Sequence, residues 1–323
     1  SKGIFWFRLP LPMALDHVNV YVIDEGDSWT IIDTGFWSKK TQSIWSEIKE
    51  KWFSDKPIGK VIVTHHHPDH VGLAGWFQTE FKADLWMSRT AWLMARMLRL
   101  DYQKLPTEET INFWRRAGMD DLILNERATG KPFNFGDSVH EMPLGFRRII
   151  DGEKIILGNR SWIVRVGNGH APEHLTLWCE DEPIVIAGDQ IISSISPNLG
   201  VYATEPDADP VQEWLTSCEA FLPFSNDKQL VLPGHKLPFY GLPHRLKQLI
   251  ENHHSALKRL VAFLKEPQTA VDCFPVLFNR KISDNEYGLA LVEAVAHLNH
   301  LYRKKIVKRE LNSKGAYVYT LKN

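Results

Sequence analysis

The chain has 323 residues, 44% hydrophobic and 24% charged, with a formal net charge of -1, which is ordinary for a folded globular protein of one large or two smaller domains. That near-neutral balance excludes a whole-chain electrostatic drive toward a polyanion, and no apolar run reaches the length of a membrane span. The three cysteines, Cys179, Cys218 and Cys273, are far apart and form no CxxC pair. They predict a reducing, cytoplasmic setting, without a disulfide framework or thiolate metal site. The sequence starts at Ser1 without an initiator Met, which is compatible with a removed signal or tag.

Residues 4 to 33 read as early strands joined as hairpins, over Ile4 to Leu9, Val18 to Ile23 and Trp29 to Ile32. Asp33-Thr34-Gly35 follows, before a helix near Lys39 to Trp52. The Asp-Thr-Gly has two readings, a turn with a helix cap or support behind a metal site. Val61 to Thr64 is a β-branched run that ends at His65-His66-His67-Pro68-Asp69-His70. Alternation along an extended chain predicts His65, His67 and Asp69 on one side, with His66 on the other and His70 beyond the turn at Pro68. Imidazoles and a carboxylate at this spacing suit Zn²⁺, Fe²⁺ or Mn²⁺.

A helix over Gly72 to Phe81 and a strand over Ala83 to Met87 come next. Residues 88 to 130 carry Trp, Met and Leu at helical spacing and read as a helical insertion, forming either a local core or a lid over an apolar pocket. Strand patterns resume at Arg147 to Ile150, Lys154 to Leu157 and Ser161 to Val166, ending at Gly169-His170 with His174 four residues on. Leu175 to Trp178 and Ile184 to Ala187 follow, the latter ending at Gly188-Asp189. A loop from Pro197 to Asp209 and a helix over Val211 to Phe221 precede the strand Leu230 to Leu232, which ends at Pro233-Gly234-His235. Three more times a strand runs into a glycine and then a potential ligand.

From residue 244 the pattern changes to two amphipathic helices, His244 to Leu264 and Tyr287 to Tyr302, then two short strands, Lys305 to Glu310 and Ala316 to Leu321. The expected domains are therefore a catalytic domain over 1–243 and a winged-helix-like region over 244–323. From 246 onward thirteen Lys/Arg face seven Asp/Glu. That excess permits nucleic-acid contact, but a solvated helical face is the favoured reading.

The series HxHxDH, Gly-His, Gly-Asp, Gly-His, in that order over roughly residues 4 to 241, resembles the metallo-β-lactamase superfamily. The resemblance implies an α/β fold, an αβ/βα four-layer sandwich with metals at one sheet edge. It assigns His65, His67 and His170 to one metal, Asp69, His70 and His235 to a second, and Asp189 to a bridge between them. Asp33 and His174 are then supporting residues. His17, His140, His244, His253, His254, His297 and His300 match nothing and read as ordinary. The function implied is a hydrolase with two divalent ions, zinc foremost, using a metal-bridging hydroxide, in which Asp69 orients water or passes its proton on. The aromatic and Met-rich 88–130 stretch and the aromatics after His235 favour a small ester, lactone or thioester. Tyr202 is a candidate oxyanion donor. The tail looks like the arrangement in a lactamase-β-like group that includes an endoribonuclease, so a phosphodiesterase or nuclease is the alternative. An inactive metal-binding sensor contacting DNA is a third reading. The expected partner is a small molecule, with no membrane and with room for a homodimer.

Overall fold

In a computed structural model, which describes residues 3–13 and 15–322, the chain divides into two compact units. In chain order the elements are β1 (Ile4–Pro10), β2 (His17–Asp24), β3 (Trp29–Ile32), α1 (Lys39–Trp52), β4 (Ile58–Ile62), α2 (Pro68–Val71), α3 (Ala74–Phe81), β5 (Asp84–Met87), α4 (Arg89–Leu100), α5 (Glu108–Arg116), α6 (Asp121–Thr129) and β6 (Arg147–Arg148). There follow β7 (Lys154–Leu157), β8 (Arg160–Gly167), β9 (His174–Cys179), β10 (Ile184–Gly188), α7 (Pro210–Phe221), β11 (Leu230–Pro233), α8 (Leu242–Phe263), α9 (Phe274–Phe278), α10 (Tyr287–Arg303), β12 (Val307–Leu311) and β13 (Tyr317–Leu321).

The first unit runs through Tyr102 and adds Phe133–Pro197 and Phe224–His244. It contains two sheets, ordered β1-β2-β3-β4-β5-β6 and β11-β10-β9-β8-β7. In the first sheet the N-terminal strands pair antiparallel as hairpins, and the sheet becomes parallel from β3 onward. Tyr21, Ile23, Ile32 and Ile62 from that sheet pack with Trp162, Val164, Leu175, Leu177 and Ile186 from the second, so one core lies between the sheets. The opposite face of the first sheet, with Val18, Val20, Val22 and Ile31, packs on Trp45 of α1 and Phe77 of α3. Strand β2 is therefore buried on both faces, because successive side chains point to opposite sides.

Helix α1 is capped by Ser38, whose hydroxyl accepts from Thr41 N at 3.0 Å. The cap is thus supplied three residues after the Asp-Thr-Gly, and the Asp33 side chain is left for another task. The strand before the histidine cluster ends earlier than the sequence pattern predicts. β4 stops at Ile62, His65 to His67 follow in a bend, and Asp69 lies in the first turn of α2. Strand alternation consequently does not set the direction of Asp69. Pro68 does, since it opens a helix and cannot continue a strand ladder.

The stretch 88 to 130 comprises α4, in the first unit, and α5 and α6, in the second. The second unit consists of Gln103–Pro132, Asn198–Pro223 and Arg245 onward. In it α10 is buried over most of its length, and the hairpin β12–β13 bonds to the α8–α9 connection through Gln268 and Tyr319. None of the described helices is long and apolar enough to cross a membrane.

Candidate metal centre

Every candidate ligand sits just after the C-terminal end of a strand or in the turn that follows it. His65, His67, Asp69 and His70 follow β4, His170 follows β8, Asp189 follows β10 and His235 follows β11. Parallel pairing of β10 with β11 puts Asp189 and His235 side by side, and the Gly234 N–H donates to the Gly188 carbonyl at 2.7 Å. The donor atoms fall into three overlapping groups, His65/His67/His170, His65/His70/Asp189 and Asp69/His70/His235, each within 4.8 Å. All seven side chains named by the sequence pattern are brought together.

Hydrogen bonds behind the cluster fix which nitrogen of each imidazole faces inward. Asp33 accepts from Thr64 N at 2.8 Å, from Thr64 Oγ1 at 2.8 Å and from His70 Nδ1 at 2.8 Å. Since the Thr64 hydroxyl spends its single proton on Asp33, it accepts from His65 Nδ1 at 3.0 Å. His235 Nδ1 donates to the His17 carbonyl at 2.7 Å. His65, His70 and His235 therefore all present Nε2 to the site, the arrangement a metal-binding imidazole requires.

The donors fit a divalent cation. His65 Nε2 and His67 Nδ1 lie 3.0 Å apart, close to the roughly 3.3 Å expected between nitrogens on one tetrahedral zinc with bonds of about 2 Å. His70 Nε2 lies 3.4 Å from Asp189 Oδ1. Among the described residues neither of these buried atoms makes a hydrogen bond, although such atoms normally do. His235 Nε2 is 3.1 Å from Asp189 Oδ2 and 3.2 Å from Asp69 Oδ2, and His170 Nε2 is 3.5 Å from Asp189 Oδ2. Asp189 thus touches donors of both triads.

The electrostatics divide the cluster in the same way. Burial and the neighbouring imidazoles hold His65 and His67 well below the usual histidine range, as lone-pair donors. Burial works against a charge on His70 and His235 as well. There the carboxylates prevail, led by Asp189, and raise His70 well above its ordinary value and His235 to about 10. Burial likewise opposes ionisation of Asp189 and Asp69, yet His235 and His70 hold Asp189 well down, and His70 and His235 lower Asp69. Positive charge is favoured beside the two carboxylates, and a divalent cation supplies it.

The remaining candidates lie around this cluster. His174 is fully buried, stacks on His65 with ring centroids 4.5 Å apart, and accepts from Asp189 N at 3.1 Å, so it backs the carboxylate. Burial lowers it to about 3. His66 is buried beside His67, belongs to none of the three groups, and is lowered by burial to about 4. Tyr202 is in the second unit, half exposed, in the loop before α7.

His17, which the sequence presents as an ordinary histidine, is not one: with Asn19 and Tyr21, which no motif marks, it holds the turn carrying His235. Their alternation along β2 was visible, but not what they would face. Of the other unmatched histidines, His253 and His297 form a buried stacked pair in the second unit.

Fold and donor set together define a metal-dependent hydrolase of the αβ sandwich class. The chain belongs to the metallo-beta-lactamase superfamily, whose sequence profile matches residues 13–235. A second profile, the metallo-beta-lactamase-like C-terminal domain, matches residues 257–322. A probable metallo-hydrolase of Bacillus subtilis (strain 168), YqjP, is 23% identical over all of this chain and 99% of its own length. Among solved structures, a beta-lactamase domain protein from Burkholderia ambifaria superposes with a TM-score of 0.91 at 31% identity, covering 100% of this chain and 93% of that one. A metallo-beta-lactamase family protein from Thermus thermophilus gives a TM-score of 0.78 at 25% identity, covering 100% and 99%.

Proposed function

We propose that this protein hydrolyses a small ester, lactone or thioester with two divalent metal ions, zinc foremost. The observation that carries the reading is the convergence of seven donors into two triads that share contact with Asp189. His65, His67 and His170 would hold one ion, and Asp69, His70 and His235 the other, with Asp189 between them. Such ions polarise a scissile carbonyl and lower the pKa of water from about 16 to about 7.

The chain's own groups supply the rest. Asp69 is the most exposed of the three carboxylates around the cluster, with a side chain 17% exposed against 8% for Asp189 and 3% for Asp33. Held ionised by His70 and His235, it orients the attacking water, takes a proton at a carboxylate oxygen and returns it to the leaving group. Leu237 and Tyr240, 62% and 66% exposed just after His235, offer an apolar rim to the substrate. The backbone N–H of Thr90, at the start of α4, donates to Glu173 at 2.7 Å, which ties the His170 loop to that aromatic and Met-rich helix. The free thiols Cys179, Cys218 and Cys273 accord with a cytoplasmic protein.

The test is elemental analysis of the purified protein together with a panel of thioesters, lactones and bis(p-nitrophenyl) phosphate, with His67→Ala and Asp189→Ala as controls. About two ions per chain, with ester or thioester turnover lost in both variants, is the expected result. Turnover of the phosphodiester alone would replace this substrate class with the phosphodiesterase one. Failure to bind zinc, iron or manganese would remove the whole reading.

A further inference from the structure

The turn carrying His235 is held from the other sheet. Asn19 of β2 is fully buried, and its side-chain amide makes three hydrogen bonds there, with both of its N–H donors engaged. Nδ2 donates to the carbonyls of Pro233 at 2.9 Å and Lys236 at 2.8 Å, while Oδ1 accepts from the Trp6 indole N–H at 2.9 Å. The indole donor thereby decides which way the amide faces. The Asn19 backbone N–H adds a bond to the Gly234 carbonyl at 2.6 Å. On either side along the same strand face, Tyr21 Oη donates to the Pro233 carbonyl at 2.8 Å, and His17 Nε2 accepts from Lys236 N at 3.2 Å. Lys236 has a left-handed backbone, φ +66, unusual for a residue with a side chain, so both of its peptide groups are fixed by β2 side chains where the conformation is least favourable.

We propose that Asn19, oriented by Trp6, is a positioning residue for His235, and so governs the affinity of the Asp69/His70/His235 site while leaving the His65/His67/His170 site unaffected. The inference rests on the two-ion reading above. No other residue of similar length offers two donors and one acceptor. Aspartate would turn a carboxylate toward two carbonyl oxygens, and leucine would fill the space without any of the three bonds.

The experiment uses the full-length chain and its Asn19→Leu, Asn19→Asp and Trp6→Phe variants. Stepwise Zn²⁺ affinities are measured against a chromophoric chelator, and amide hydrogen exchange over residues 230–240 is followed in the metal-free proteins. Expected for both Asn19 variants is one ion at wild-type affinity, a second bound about 10- to 100-fold more weakly, and faster exchange in the 230–240 segment. Trp6→Phe should shift the second affinity less, in the same direction. Trp6 is partly exposed, so that variant tests the idea even if the Asn19 variants do not fold. An unchanged second affinity, or equal weakening of both ions at an unaltered thermal midpoint, overturns the proposal. A wild-type chain that takes up fewer than two ions overturns it through the two-ion reading. Unaltered exchange in the segment overturns the clamp itself whatever the metal count.

Discussion

Replacing Asp33 by asparagine tests whether the hydrogen bonds behind the cluster decide metal affinity. Asp33 has a left-handed backbone, φ +60, which asparagine adopts as readily, so the substitution adds no backbone penalty. An amide oxygen at the Oδ1 position still accepts from Thr64 N, now 2.8 Å away. The change falls on Oδ2, which accepts from His70 Nδ1 and from the Thr64 hydroxyl, both at 2.8 Å; the hydroxyl can turn to Oδ1, 3.1 Å away, but His70 cannot. An NH₂ there meets an N–H, and the conflict is relieved only if His70 moves its proton to Nε2. That proton would occupy the nitrogen that faces Asp69 and Asp189, where a bound metal needs a lone pair. Loss of a hydrogen bond to a charged acceptor costs about 1.5–3 kcal/mol. Metal affinity should fall by roughly 10- to 100-fold, about 1.4–2.7 kcal/mol, confined to the ion held by His70. Urea denaturation of the metal-free protein measures the first quantity and a Zn²⁺ competition titration the second. Asp33→Asn protein that binds both ions within about twofold of wild type would refute the reasoning, as would His70 Nδ1 found still protonated by ¹⁵N NMR.

Gly234→Ala would place a methyl group against Asp189 Oδ1 and 2.8 Å from His70 Cε1, so the strand end or the carboxylate must move. The variant should lose about 1–3 kcal/mol in denaturant unfolding and bind one ion fewer by elemental analysis. In the second unit, His253 Nδ1 and His297 Nε2 lie 3.1 Å apart in a buried pair, held neutral by burial and by each other at about 3 for His253, and by burial at about 4 for His297. The titratable and charged groups that act on them include His254, His300, Arg259 and Asp209. The folded values lie below the unfolded one of about 6.5, so their contribution is complete above that pH and is lost as pH falls toward 4. His297→Gln should flatten the decline in the urea midpoint between pH 7 and 5, and an unchanged slope would exclude the pair as its source. Chelation of the ions should lower the thermal midpoint, because ligands bound only by the native state stabilise it. A scanning calorimetry trace indifferent to chelator would count against native metal.

Much of the site was legible because the fold places functional side chains at strand ends, and strand ends are marked by local chemistry. A short apolar strand followed by glycine and a ligand recurs at His170, Asp189 and His235 whatever the distant partners are. The direction of Asp69 was not legible by the same logic, since Pro68 converts a would-be strand continuation into a helical turn. The two readings of Asp33 could not be separated either, because the choice depends on Thr64 and His70 lying across the sheet and on Ser38 supplying the cap. His17 and Asn19 were invisible for a related reason. Their partners are backbone groups more than two hundred residues away, and a backbone carbonyl has no signature in sequence. The split of the 88–130 stretch between two units is equally non-local, as its helices share one amphipathic pattern but pack in different bodies.

Strand β2 carries two messages interleaved residue by residue, His17, Asn19 and Tyr21 toward the metal turn and Val18, Val20 and Val22 toward the helices. A slip of one residue in the β1–β2 hairpin would exchange them, setting valines against the Pro233–Lys236 peptides and burying polar groups among α1 and α3. Both errors are costly and neither relieves the other. The hairpin formed near the start of the chain therefore has its register proofread by a turn made more than two hundred residues later, and a mispaired hairpin would be a chain unable to bring His235 up to Asp69 and His70.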